Sequence, residues 1–133
     1  MRRREIMLGA ASAALASIPA LALAQDFPRP GMTMKYVVPF PPGGLTDVMA
    51  RSVGQKLAEA LKIPVVVENK AGGNAQIGAD LVAKSQPDGT SLLAITLTHA
   101  ANATLFPDAP YQLLRDLRPL ALLAGSTPAG QEP

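Results

Sequence analysis

Three observations predict an α/β protein built on a parallel sheet with flanking helices. Short β-type runs alternate with helical patterns from Met34 to Thr98. A Gly-Gly loop follows each of the first two runs. The second run, Val65-Val66-Val67, is apolar without alternation, as a strand buried on both faces is. The 133 residues suit one domain.

Asp26 to Gly31 is Pro-rich and reads as an extended lead-in. Met34 to Val38 is the first strand, ended by Pro39, which has no N–H for a ladder. Phe40-Pro41-Pro42-Gly43-Gly44 forms a rigid loop. From Leu45 to Leu61, Met49, Val53, Leu57 and Leu61 recur four apart on one helical stripe. Pro64 precedes the second strand, Val65 to Glu68. Asn69 to Asn74 is a second glycine-bearing loop. A helix from about Ala75 to Lys84 follows, with Ile77 and Leu81 expected to face inward. Pro87-Asp88-Gly89-Thr90 is a turn, and Ser91 to Thr98 is the third strand. His99 to Leu105 reads as one or two helical turns, 106–119 as connection, and Leu120 to Ala124 as the start of a fourth strand. With the two longer helices on opposite faces, right-handed crossovers give the sheet order 2-1-3. The crevice between the carboxyl ends of strands one and three is then the switch point where such sheets take ligands.

The N-terminus carries an export leader. Arg2, Arg3 and Arg4 precede an apolar, Ala-rich stretch from Ile6 to Leu23. It ends in Ala22-Leu23-Ala24, so cleavage is expected after Ala24. Arg3-Arg4-Glu5-Ile6-Met7 also fits the twin-arginine pattern, which leaves the Sec and Tat routes both open. The expected destination is the periplasm. Residues 1–24 are read as signal peptide, 25–124 as the folded domain and 125–133 as a tail without core-forming residues.

Composition excludes several function classes. There is no cysteine and one histidine, His99, so thiol chemistry, disulfides and Cys- or multi-His metal sites are not available. The chain has 12 Lys+Arg and 10 Asp+Glu. Without Arg2, Arg3, Arg4 and Glu5 the balance is nine against nine, so the basic surplus belongs to the leader and implies no nucleic-acid partner. Aromatics are 4% with no Trp, which argues against base-stacking surfaces.

Three loops carry the chemistry. Pro42, Gly43, Gly44, Thr46 and Asp47 sit where a strand passes into a helix; free N–H groups of a first helical turn and the helix dipole there make an anion site. Thr96, Thr98, His99 and Asn102 form a polar patch after the third strand, at the predicted crevice. Gly72, Gly73 and Asn74 end the second strand. Each group also reads as an ordinary turn or helix cap. Neither a phosphate-loop pattern nor Rossmann glycine spacing is present, and no nucleophile, base and oxyanion hole assemble. No catalytic residue, metal or cofactor is expected.

The string Val37-Val38-Pro39-Phe40-Pro41-Pro42-Gly43-Gly44, with Thr46-Asp47 and Ala50-Arg51, resembles the start of the Bug proteins, periplasmic solute receptors of the tripartite tricarboxylate transporter (TctC) family. Similarity continues through Val65-Val66-Val67-Glu68-Asn69-Lys70, Ile77-Gly78-Ala79-Asp80, Pro87-Asp88-Gly89-Thr90, Thr98-His99-Ala100, Pro110-Tyr111 and Asp116-Leu117-Arg118-Pro119. The resemblance implies the first lobe of a type II periplasmic-binding-protein fold. It also implies a small organic acid as ligand, membrane permease components as partners, and a monomer. The loops at Gly43 to Asp47 and Thr98 to Asn102 would embrace a carboxylate, and Gly72 to Gln76 would line the cleft. Family members are more than twice this long, so a second lobe is expected to be missing and binding to be weak or lost. Two alternatives stay open: an exported remnant that no longer binds, and a small α/β enzyme using Asp47 and His99.

Overall fold

The computed structural model describes residues 27–124. The segments expected as leader (1–24, with cleavage after Ala24) and as tail (125–133) lie outside them. The described order is β1 (Met34–Val38), α1 (Leu45–Leu61), β2 (Val65–Asn69), α2 (Gln76–Ala83), β3 (Ser91–Leu93), α3 (Leu97–Leu105) and α4 (Leu113–Asp116). The three strands form one parallel sheet in the order β2-β1-β3, as expected. Met34 pairs with Val65 and Val38 with Asn69 on one side; Lys35 to Val37 pair with Ser91 to Leu93 on the other.

β1 is the buried centre: Met34, Tyr36, Val37 and Val38 are all buried while Lys35 is exposed. Side chains alternate across the sheet, so Tyr36 and Val38 face one way and Val37 and Pro39 the other. α1 covers the first face, where Tyr36, Val38, Ala50 and Ala94 form a cluster ringed by Phe40, Val53, Val65, Val67 and Leu92. α1 comes close because its contact positions are small. A Cβ on Gly54 would sit 3.4 Å from both Val65 Cγ1 and Val67 Cγ2. The stripe Met49, Val53, Leu57 and Leu61 is half-buried beside this seam.

α2 serves the second face in the same way. A Cβ on Gly78 would lie 2.8 Å from Pro39 Cβ and 3.1 Å from the Lys70 carbonyl oxygen, so only glycine fits this crossing. The residues α2 buries are Gly78, Ala79 and Val82. Ile77 and Leu81, expected inward, are 55% and 44% exposed: the helix turns Gly78, Ala79 and Val82 inward and these two larger residues outward. The Asp88 side chain fixes the predicted turn by accepting from Thr90 N and Thr90 Oγ1 at 3.0 and 2.6 Å.

Three further expectations are corrected. β2 is a sheet edge, not a strand buried on both faces, and Val66 is 45% exposed. β3 stops at Leu93 rather than Thr98: Ala94 N still donates to Val37 O at 2.9 Å, but the chain then turns and α3 starts at Leu97. Residues 120–124 form no strand, and the stretch read as connection contains the short α4.

Candidate functional site

All three candidate loops leave the carboxyl ends of the strands. The loop after β1 runs from Pro39 to Gly44 and enters α1, with Gly44 in extended conformation at the N-cap and no side-chain cap. Gly43 has φ 85°, which glycine adopts without strain. Pro41, Pro42, Gly43, Gly44 and Leu45 are exposed. The first backbone bond of the helix is Val48 N to Gly44 O, so the N–H groups of Leu45, Thr46 and Asp47 have no backbone acceptor within α1 and lie at its positive end.

Asp47 fixes this loop from beneath. It is buried, and its Oδ2 accepts from Gly43 N at 2.9 Å and from Arg51 Nε at 3.0 Å. Its Oδ1 accepts from Asn69 Nδ2 at 2.9 Å. The Arg51 bond, followed by those from Gly43 and Asn69, holds the Asp47 carboxyl at a pKa of about 2. It is therefore an anion whose lone pairs serve its own chain.

The loop after β2 is held by α3. Gly72, Gly73, Asn74 and Ala75 all have positive φ, from 53° to 127°, which folds the loop back before α2. Asn102 is buried at the heart of α3. Its Nδ2 donates to the Asn74 carbonyl, and its Oδ1 accepts from Asn74 Nδ2.

At the start of α3, Thr96 N donates to His99 Nδ1 at 3.1 Å, closing a capping box with His99 at the third position. In the neutral ring the proton then sits on Nε2. His99 is 1% exposed, its Nε2 has no partner among the described residues, and burial pushes its pKa below the usual 6.5. Its ring meets Phe40 edge-on, centroids 6.2 Å apart, so the first and third loops touch.

Asp47 and Gly43 are thus joined directly, as are Asn74 and Asn102, and His99 faces the first loop through Phe40. Thr46 and Thr98 are half-buried at the first turns of α1 and α3. Arg51 and Asn69, which tie the first loop to β2, were not among the expected site residues. No spacing signals a pair 18 or 22 positions apart. No group of three or more His, Asp or Glu suited to a metal exists among the described residues.

Residues 49–129 match the family described as tripartite tricarboxylate transporter family receptor. Protein BugT of Bordetella pertussis is 44% identical over 96 residues, covering 71% of this chain and 29% of that protein. A protein from the tcbD–tcbE intergenic region of a Pseudomonas species is 38% identical over 122 residues, covering 92% of this chain and 36% of its own. Among solved structures, MatC from Rhodopseudomonas palustris with bound malate superposes with a TM-score of 0.67 at 40% identity, covering 71% of this chain and 33% of MatC. A second, described as a periplasmic transporter, gives a TM-score of 0.59 at 44% identity, covering 62% of this chain and 28% of its own. The chain spans about a third of the length of the proteins it matches.

Proposed function

Because this chain belongs to the tripartite tricarboxylate transporter receptor family, we propose that it provides the carboxylate-holding lobe of an extracytoplasmic receptor for a small organic acid. The observation that carries this reading is the open first turn of α1, uncapped by any side chain at Gly44 and presented at the sheet's carboxyl edge. Backbone N–H groups there stabilise an anion at contact distance. Arg51 neutralises Asp47 beneath them, so the acid meets no net repulsion. The malate-bound neighbour, a dicarboxylate complex, supports the same ligand class.

In this reading Gly44 and Thr46 present the backbone donors, Pro42 fixes the approach of the loop, and Asp47 holds its shape through the Gly43 N–H. Thr98 supplies a hydroxyl, and the buried His99 holds the third loop against the first through Thr96 and Phe40. Gly72, Gly73 and Asn74, braced by Asn102, form the remaining wall. Residues 1–24 act as the export leader, cleaved after Ala24, and 25–124 as the binding lobe with 125–133 as its tail. The protein works in the periplasm as a monomer and passes its acid to membrane permease components. An Asp47–His99 catalytic pair is disfavoured, since Asp47 is committed to Gly43, Arg51 and Asn69, and His99 Nδ1 to Thr96.

Titration of the 15N-labelled chain with malate, succinate and citrate tests this, with malamide as a neutral control. The expected result is a carboxylate-specific shift of the Gly43, Gly44 and Thr46 amides. No shift with any of the three acids overturns the binding role and leaves the alternative, an exported chain that does not bind.

A further inference from the structure

We propose that Asn69 and Arg51, which lie outside the candidate ligand loops, are the positioning residues that hold the first loop in its anion-accepting shape. The inference rests on the carboxylate-receptor reading above and deepens it. Asn69 is the last residue of β2 and pairs with Val38, so its side chain stands beside the point where β1 becomes the loop. One amide nitrogen reaches two acceptors, the Phe40 carbonyl at 3.1 Å and Asp47 Oδ1 at 2.9 Å. Its Oδ1 accepts from Arg51 Nη2 at 3.1 Å, while Arg51 Nε donates to Asp47 Oδ2.

The result is a closed ring of Asp47, Arg51 and Asn69 with two spokes into the loop. One spoke grips the Phe40 carbonyl at the loop's start; the other, through Asp47, grips the Gly43 N–H near its end. The chemistry of each member is specific. Position 69 needs a donor and an acceptor on one planar group, which an amide supplies and a carboxylate does not. An aspartate there would set a second negative charge against Asp47 Oδ1 and the Phe40 oxygen. Position 51 needs two N–H vectors in a fixed fork, one to Asp47 and one to Asn69, which a lysine ammonium does not reproduce. Arg51 is 54% exposed, so it adds little as an isolated ion pair. Its weight comes from closing the ring and from cancelling the Asp47 charge under the site.

The test uses the whole 15N-labelled chain and the variants Asn69→Ala, Asn69→Asp and Arg51→Lys. Amide exchange is read at Gly43, Gly44 and Thr46 and, as an internal reference, at Val37 and Val38 of the buried strand. Each Asn69 variant is expected to speed exchange at Gly43 by about tenfold, the loss of one typical hydrogen bond. Arg51→Lys should fall between wild type and Asn69→Asp, with Val37 and Val38 still protected in all three. Malate is titrated in parallel, and its shifts of the loop amides should weaken with the loss of loop order. Unchanged Gly43 exchange in both Asn69→Asp and Arg51→Lys overturns the proposal. So does equal loss of protection at Val37 and Gly43, which would mark a general structural role. Faster loop exchange in the variants, with no malate shift in wild type, leaves the positioning ring standing and sinks the carboxylate reading instead.

Discussion

Asn102 and Asn74, 28 residues apart, bond each other twice: Asn102 Nδ2 to the Asn74 carbonyl at 2.6 Å, and Asn74 Nδ2 to Asn102 Oδ1 at 2.7 Å. The pair pins the left-handed loop 72–75 to α3. Asn102 is buried, so its removal strands the Asn74 groups without their partner. Asn102→Ala should cost about 1–2 kcal/mol, read from the urea midpoint. Protease sensitivity should rise at 72–75 before the sheet yields. A loop as protected as wild type would refute the pinning.

Acid should loosen the first loop through Asp47. Its carboxyl titrates near 3.8 when unfolded and about 2 when folded. The stabilisation is therefore full above about pH 4 and is lost as pH falls towards 2. Asp116, held to about 2 by Arg115, behaves alike, so the measurement is a difference between variants. Asp47→Asn should melt lower than wild type at pH 7 and converge with it near pH 2. Parallel melting curves across that range contradict the assignment.

His99 predicts a second pH window. Burial lowers its folded pKa below 6.5, so the folded state prefers the neutral ring. Its contribution is full above pH 6.5 and declines as pH drops below that value towards the folded pKa. His99→Phe keeps the ring body beside Phe40 and removes the titration. Melting temperatures from pH 5 to 8 should show a flatter dependence in the variant; identical slopes count against a neutral buried imidazole.

Gly78→Ala should destabilise by about 1–3 kcal/mol by overpacking the α2 crossing, because the new methyl meets Pro39 Cβ at 2.8 Å. Urea denaturation measures it. A neutral effect would mean that α2 can move away from Pro39 without loss.

The alternation of strand and helix patterns, with glycine loops between them, made the sheet order and the three converging loops legible in the sequence. Burial within each helix was less so. Ile77 and Leu81 read as inward on hydrophobicity alone, yet the crossing at Pro39 requires the smallest side chain, and Gly78 with Ala79 takes the inner face. Ile95 and Thr96 are β-branched and read as strand, but capping of α3 by Thr96 and His99 competes with the ladder and wins after Leu93. The ring at Asp47 was half legible. Asp47 to Arg51 is a helical i, i+4 pair, whereas Asn69 enters only through the parallel register that sets it against Val38.

Pairing Arg51 with Asp47 has a consequence for how far the site can be felt. Lys70, in the second loop, lies 3.7 Å from Glu68, so this cation too is offset nearby. What remains is a set of backbone dipoles, whose field fades within the first turn of the helix. At physiological ionic strength charges beyond about 8 Å are screened in any case. An anion is therefore recognised on arrival rather than drawn in, and its association rate should change little with added salt.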